Sequence, residues 1–128
     1  MVAWADYKAE AKSRGALALE LSVAISTPAK EPKDVKASLP DHLAYQAKLE
    51  RTGSLAFAGP MSDESGAHMQ GIGMIVYRAE SLDAARALAE GDPMHQSGAR
   101  TFVLRRWMIN EGSFSVSVGL STKQVTLT

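Results

Sequence analysis

The stretch over residues 38–60 constrains the fold more than any other part of the chain. Its sequence, SLPDHLAYQAKLERTGSLAFAGP, predicts a helix that ends at Gly53 and leads into a short strand ending at Gly59-Pro60. Ser38 is suited to cap this helix, and Pro40 fits its first turn, where no N–H is needed. Gly53 suits the left-handed conformation that commonly follows a helix. The stretch therefore predicts one helix and one strand in direct succession.

One histidine lies on the inward side of this predicted helix. At about 100° per residue, one face is formed by Leu39, His42, Leu43, Tyr45, Gln46 and Leu49. His42 is therefore expected near the middle of the buried stripe. Histidine titrates near neutral pH, so His42 suits a general base in a pocket. A core histidine bonded to a carbonyl group fits the same pattern.

The rest of the chain predicts further helices and strands in a definite order. Before residue 38 we expect a helix over 3–14, a strand over 16–27 and a loop over 28–37. After the helix and strand just described come a polar loop over 61–71, a strand over 71–79 and a helix over 82–90, which Ser81 caps and Gly91 ends. The chain continues with a short turn or helical piece over 94–99, a strand over 99–110 and two short tail strands around Val116 and Val125. In the strand over 16–27, the alternating residues expected on a fully buried face are Leu17, Leu19, Leu21, Val23 and Ile25.

This order predicts an α+β fold with a ferredoxin-like βαββαβ core. In such a core, two helices cover one face of a four-stranded antiparallel sheet. We expect a single domain over 1–128, with its core at about 16–109, an N-terminal helix over 1–15 and a C-terminal strand extension over 111–128.

Apolar residues on both faces of the strands predict a homodimer. Met74-Ile75-Val76 and Phe102-Val103-Leu104 place large side chains on both sides of the sheet. A face without helices would leave a large apolar patch, which packing against a second copy removes. Assembly beyond the dimer stays open, and the tail strands are expected to extend the sheet or to reach over the partner.

The composition excludes several classes of function. Lys plus Arg and Asp plus Glu both number 14, so no net field attracts nucleic acid or an anionic membrane. With no cysteine, disulfides, thiolate catalysis and cysteine-ligated metals are excluded. No segment approaches the roughly 20 apolar residues of a membrane span, and the N-terminus has no signal-peptide core. We expect a cytoplasmic protein with no nucleic-acid or membrane partner.

Asp92 is the second candidate for chemistry. Between Gly91 and Pro93, its carboxylate can cap the turn that follows or orient an imidazole, and one carboxylate can do both. His68 and His95 would complete a metal site with Asp92, but no tight ligand spacing supports one, so no metal is predicted.

Two further groups of residues have both a functional and a structural interpretation. Arg105 and Arg106 could bind an anionic substrate or lie along the strand over apolar neighbours. The methionines suited either to line a pocket or to fill the core are Met61, Met69, Met74, Met94 and Met108.

A series of short motifs runs along residues 16–107 in a definite order. They are His42-Leu43, Leu49, Gly53, Leu55, Ala58-Gly59-Pro60, the strand over 73–76, Ser81, Ala84-Ala85, Asp92-Pro93 and Gly98. In this order and spacing the chain resembles the YCII-related family. The resemblance implies a dimeric α+β barrel in which two ferredoxin-like sheets face each other, and a site where His42 and Asp92 meet. One branch of that family resembles cofactor-independent enzymes that remove chloride from chlorinated hydroxyhydroquinones.

The residues and the resemblance together predict a cofactor-independent enzyme acting on a small cyclic or hydroxylated aromatic substrate. We expect His42 and Asp92 to form its general acid–base pair, in an isomerase, a lyase or a dehydrochlorinase-like enzyme. The residues expected to contact the substrate are Tyr45, Gly59, Pro60, Met61 and His95. The alternative is a non-catalytic small-molecule-binding or accessory protein with the same fold, and a third hypothesis is a monooxygenase of the related barrel type.

Overall fold

The structure is a computed structural model that describes all 128 residues. Its helices are α1 (Trp4–Ser13), α2 (Pro32–Ala37), α3 (Leu39–Thr52), α4 (Leu82–Glu90) and α5 (Pro93–Gln96). Its strands are β1 (Leu19–Pro28), β2 (Leu55–Ser62), β3 (Met69–Tyr77), β4 (Arg100–Ile109), β5 (Val116–Val118) and β6 (Val125–Leu127). None of the helices has the length and apolar character that a membrane crossing requires.

Four strands form an antiparallel sheet in the order β2-β3-β1-β4. The register pairs Ala24 of β1 with Ile75 of β3, and Ile75 with Ala58 of β2. α3 and α4 supply Leu49, Ala85 and Ala89 to the buried cluster on this face. The predicted α+β fold with a ferredoxin-like core is confirmed.

The chain divides into two compact units. One unit, Glu20–Trp107, contains most of the sheet and α2 to α5. The other combines Met1–Leu19 with Met108–Thr128 and has its own small core of Ala11, Ala18 and Met108. The predicted N-terminal helix and tail strands are found as α1, β5 and β6. β5 and β6 pair only with each other, so the tail does not extend the main sheet. The single-domain boundaries stay a prediction.

The predicted loop over 28–37 is wrong, because it contains the helix α2. Pro32 lies in the first turn of α2 and follows Glu31 in an extended conformation, an arrangement that suits a helix start.

The predicted cap by Ser38 is also wrong. α2 leads directly into α3, so Ser38 has right-handed helical angles (φ −85°, ψ −7°) and makes no side-chain cap bond. A capping residue needs an extended backbone, which Ser38 lacks.

The expected buried face of β1 is confirmed for Leu21 and Val23 but is wrong in two respects. Leu17, which lies before the strand, and Leu19, its first residue, are exposed. The alternate residues of β1 are also buried, although the pattern assigns them to the other face; these are Ser22, Ala24 and Ser26. Ala24 belongs to the helix-covered cluster, and alternate residues of a strand share its face. Small side chains therefore lie under the helices, and the larger ones face the other way.

The polar loop over 61–71 is shorter than predicted. β2 continues through Gly59-Pro60 to Ser62, and β3 begins at Met69. Proline usually ends a strand because it cannot donate a ladder bond, but β2 is an edge strand, where proline is tolerated. Pro60 accordingly pairs with Gly73 of the neighbouring strand β3.

The predicted ends of α3 and α4 are confirmed, with one difference in mechanism. Gly53 follows α3 in the left-handed region, at φ +83°. Ser81 caps α4 by accepting a bond from the Ala84 N–H at 3.0 Å. Gly91 ends α4 with φ −73°, so no left-handed angle requires glycine there. The requirement is space, because a Cβ atom on Gly91 would lie 2.7 Å from the Tyr45 hydroxyl.

Two tyrosines in the helix-covered core give a matched pair for a stability test. The Tyr77 hydroxyl is buried without a hydrogen-bond partner, whereas the Tyr45 hydroxyl donates to the Leu88 carbonyl at 2.7 Å. We expect Tyr77→Phe to leave the free energy of unfolding unchanged or higher, because it removes an unpaired buried group. Tyr45→Phe should lower it by about 1 kcal/mol, measured by urea denaturation.

Tyr77→Phe should also change how the stability responds to alkaline pH. Burial raises the pKa of Tyr77 and of Tyr45, and the charge of Asp92 adds to both shifts. An unfolded tyrosine has a pKa of about 10, so the folded state is stabilised below that pH and loses this contribution as the pH rises above it. Tyr77→Phe should therefore flatten the loss of stability above about pH 10; an unchanged slope would contradict this account.

Candidate active site

The side chains of His42 and Asp92 meet at one point in the Glu20–Trp107 unit. His42 lies near the start of α3, and its Nδ1 is 2.7 Å from Oδ2 and 2.9 Å from Oδ1 of Asp92. The Asp92 side chain is 1% exposed, and that of His42 is 14% exposed. Asp92 Oδ1 also accepts a bond from the Met94 N–H at 3.0 Å. The carboxylate therefore caps α5 and holds the imidazole at once.

These contacts determine which nitrogen of His42 carries a proton in the neutral ring. Carboxylate oxygens accept hydrogen bonds, so Nδ1–H is the donor to Asp92. Nε2 then has a free lone pair and no partner within the protein. Asp92 thus holds the ring through Nδ1 and leaves Nε2 as the unbonded nitrogen.

His42 borders a cavity of about 420 Å³. The lining comes mainly from α3, β2 and β3 and consists of Ser26, Leu39, His42, Leu43, Gln46, Ala58, Gly59, Pro60, Met69, Gly71, Ile72, Gly73, Met74, Ile75, Met94 and Arg100. Only Ser26, His42, Gln46 and Arg100 contribute polar side chains. A mostly apolar cavity with a few convergent polar groups suits a small organic molecule.

Two of the five predicted substrate contacts line this cavity. Gly59 and Pro60 are in its lining, whereas Tyr45, Met61 and His95 are not. Tyr45 packs against the helix-covered core. His95 lies behind Ser26, with its Nε2 2.8 Å from the Ser26 hydroxyl. The roles of all five as substrate contacts, and the catalytic roles of His42 and Asp92, stay predictions.

The remaining histidine lies elsewhere. His68 is exposed in the loop between β2 and β3, with Nδ1 3.4 Å from Asp63 Oδ2. No group of three or more His, Cys, Asp or Glu side chains is arranged to hold a metal ion.

Arg100 is a cavity residue that the sequence analysis missed. Its Nε donates to Ser26 Oγ at 2.8 Å, and its Nη2 donates to the Ser26 and Gly71 carbonyls. The sequence pattern pointed to Arg105 and Arg106 instead. Arg106 pairs with Glu20 at 3.5 Å, and neither arginine lines the cavity. Strand parity could have identified Arg100, because it shares a face with Phe102 and Leu104, which pack in the helix-covered core.

Comparison with known proteins identifies the family. The model of the YCII-related domain matches residues 20–108. The chain belongs to the YCII-related family. Among solved structures, the YCII-related chain is similar to 5-chloro-2-hydroxyhydroquinone dehydrochlorinase from Burkholderia phenoliruptrix AC1100, in complex with 2,5-dihydroxybenzoquinone. The TM-score is 0.50 and the identity 20%, over 68% of this chain and 92% of that chain. This likeness concerns the fold. No curated protein matches the sequence.

The double role of Asp92 in this YCII-related domain can be separated by two substitutions. Asparagine retains a side-chain oxygen that can cap α5, whereas alanine removes both the cap and the bond to His42. We expect Asp92→Ala to lower the free energy of unfolding by about 1–3 kcal/mol and Asp92→Asn to lower it less, as measured by urea denaturation. Equal losses in the two variants would contradict a capping contribution.

Proposed function

We propose that this YCII-related protein is a cofactor-independent enzyme that acts on a small cyclic or hydroxylated aromatic substrate. The observation that carries the proposal is the contact of 2.7 Å between His42 Nδ1 and a buried carboxylate of Asp92, beside a cavity that His42 itself lines. His42 is the general base, and Asp92 orients it and stabilises the imidazolium. Membership of the YCII-related family supports the same assignment.

The chemistry follows from the free nitrogen of the imidazole. Nε2 takes a proton from a substrate hydroxyl or an acidic carbon, and the electron pair left behind shifts into the ring system. In an isomerisation, the imidazolium returns the proton to another substrate atom. In an elimination, the electron pair expels a leaving group such as chloride. General acid–base assistance of this kind contributes about 10²–10⁴-fold to the rate.

A non-catalytic small-molecule-binding protein is the second candidate. The bond from the Met94 N–H to Asp92 favours it, because this bond gives the carboxylate a structural purpose independent of chemistry. In that case His42 and Asp92 join α3 to α5, and the cavity holds a ligand without transforming it.

Turnover by a His42 variant decides between these two functions. We expect the wild type to release chloride from chlorinated hydroxyhydroquinones or to isomerise related hydroxylated rings, followed with a chloride electrode and by absorbance. His42→Gln should lower kcat by about 10²–10⁴-fold, because it removes the base.

His68→Gln is the matched control, because it removes an exposed histidine far along the chain from the pair. Its turnover should equal that of the wild type. Equal turnover by His42→Gln and the wild type would exclude the base role, and binding of these compounds without turnover would favour the binding protein.

We also propose that the protein forms a homodimer through the sheet face opposite the helices. Val23 pairs with Val76 and Ile25 with Met74 on this face, and Phe57 lies beside Val76. At the same sheet, the exposed fractions are 55% for Phe57, 58% for Val103 and 42% for Trp107. Burial of such an apolar face against a second copy is favourable.

A charge on this face should separate the two copies. We expect the wild type to have twice the mass of the chain in light scattering at micromolar concentration, and Trp107→Glu to have the mass of one chain. Lys48→Glu introduces the same carboxylate on the exposed side of α3 and should remain dimeric. A monomeric wild type would contradict the proposal.

A further inference from the structure

Arg100 is the only lysine or arginine in the lining of the cavity that His42 borders. The other polar side chains there are a hydroxyl, an amide and the imidazole. Arg100 therefore supplies the permanent positive charge of the site. A positive side chain in a largely apolar cavity is costly unless it is paired or hydrogen-bonded.

Hydrogen bonds fix one edge of the Arg100 guanidinium. Nε donates to Ser26 Oγ at 2.8 Å, and Nη2 donates to the Ser26 carbonyl at 2.8 Å and to the Gly71 carbonyl. These bonds use Nε and Nη2 only. Nη1 retains two N–H groups without a partner in the protein, so it is the group available to a ligand.

His95 sets the direction of the Ser26 hydroxyl. The His95 Nδ1–H donates to the Ala89 carbonyl at 2.7 Å, which leaves Nε2 of the neutral ring as an acceptor. The Ser26 hydroxyl donates to that Nε2 at 2.8 Å, and its oxygen accepts from Arg100. The guanidinium is thus held in one orientation by a chain of bonds that leads away from the cavity.

No carboxylate forms an ion pair with Arg100. Burial lowers the pKa of Arg100, and the charge of Asp92 acts in the opposite direction. Arginine remains charged at neutral pH in spite of such shifts. Hydrogen bonds to neutral oxygens therefore stabilise this charge, and the Asp92 carboxylate that also acts on it is already bonded to His42.

We infer that Arg100 Nη1 binds an anionic oxygen of the substrate, and that the substrate class is a small ring bearing an ionised hydroxyl or a similar oxyanion. The inference rests on the proposed function and adds to it the group that holds the substrate. Arg100 also stabilises negative charge that develops on this oxygen when His42 removes a proton.

The test uses two probes that differ at one oxygen, which is ionised in one and methylated in the other. 4-Nitrophenolate at pH 8.5 carries the anion, and 4-nitroanisole is its neutral twin. We expect the wild type to bind the phenolate at least about tenfold more tightly than the anisole, as measured by absorbance titration. Arg100→Gln should abolish this preference, because one charge-assisted hydrogen bond corresponds to about tenfold or more in Kd.

Arg78→Gln is the matched control. Arg78 also donates to two backbone carbonyls, those of Gly53 and Leu55, but does not line the cavity. Arg78→Gln should keep the preference for the phenolate. If Arg100→Gln does not fold, Arg100→Lys is tested instead. Arg100→Lys should bind the phenolate more weakly than the wild type does, and it should bind the anisole as tightly as the wild type does. An equal loss for both probes would overturn the inference.

The outcomes separate this inference from the proposed function. A wild type that binds both probes equally, or an Arg100→Gln variant that keeps the preference, overturns the anion site whatever the turnover assay gives. Retained preference in His42→Gln, together with its loss in Arg100→Gln, supports the anion site even if His42→Gln turns over substrates like the wild type.

Discussion

The candidate site depends on one buried carboxylate. Asp92 is 1% exposed and accepts bonds from the His42 ring and from the Met94 N–H. A carboxylate without such partners would be very costly at this depth, so the two bonds are what permit it to lie there. They also join α3 to α5, which fixes where the imidazole stands relative to the sheet. Position, tautomer and orientation of His42 all follow from the placement of Asp92.

Small side chains lie under the helices on the sheet. Ser22, Ala24 and Ser26 form the helix-covered face of β1, together with Gly73 opposite Ser26 in β3. Larger residues there would push α3 away from the sheet and fill the space that the cavity occupies. Ser26 has a further function, because its hydroxyl and carbonyl both accept from Arg100. Ser26 therefore both leaves room for the cavity and binds the arginine in its lining.

The order of the main strands and helices, though not the short helix α2, could be predicted from the sequence because these elements have a clear period and a clear stop, such as Gly53 after α3. The errors arise where local rules conflict with packing. β1 has two buried faces, whereas alternation of size predicted only one. Ser38 has the right chemistry for a cap, but the preceding helix α2 sets its backbone. Strand parity places Arg100 on the face of Phe102 and Leu104, but its contacts to Ser26 and Gly71 join three strands and cannot be predicted from a local pattern.

The charges around the cavity favour proton transfer from a substrate that carries or develops negative charge. In the proposed reaction, Nε2 of His42 takes a proton and the new positive charge lies against Asp92, so that pair becomes neutral overall. The electron pair left on the substrate then lies in a cavity whose remaining permanent charge is that of Arg100. Both charges that the proposed reaction would create thus meet an opposite charge already fixed by the fold. Such fixed groups stabilise a transition state without reorganisation, which is the main advantage of a protein site over water.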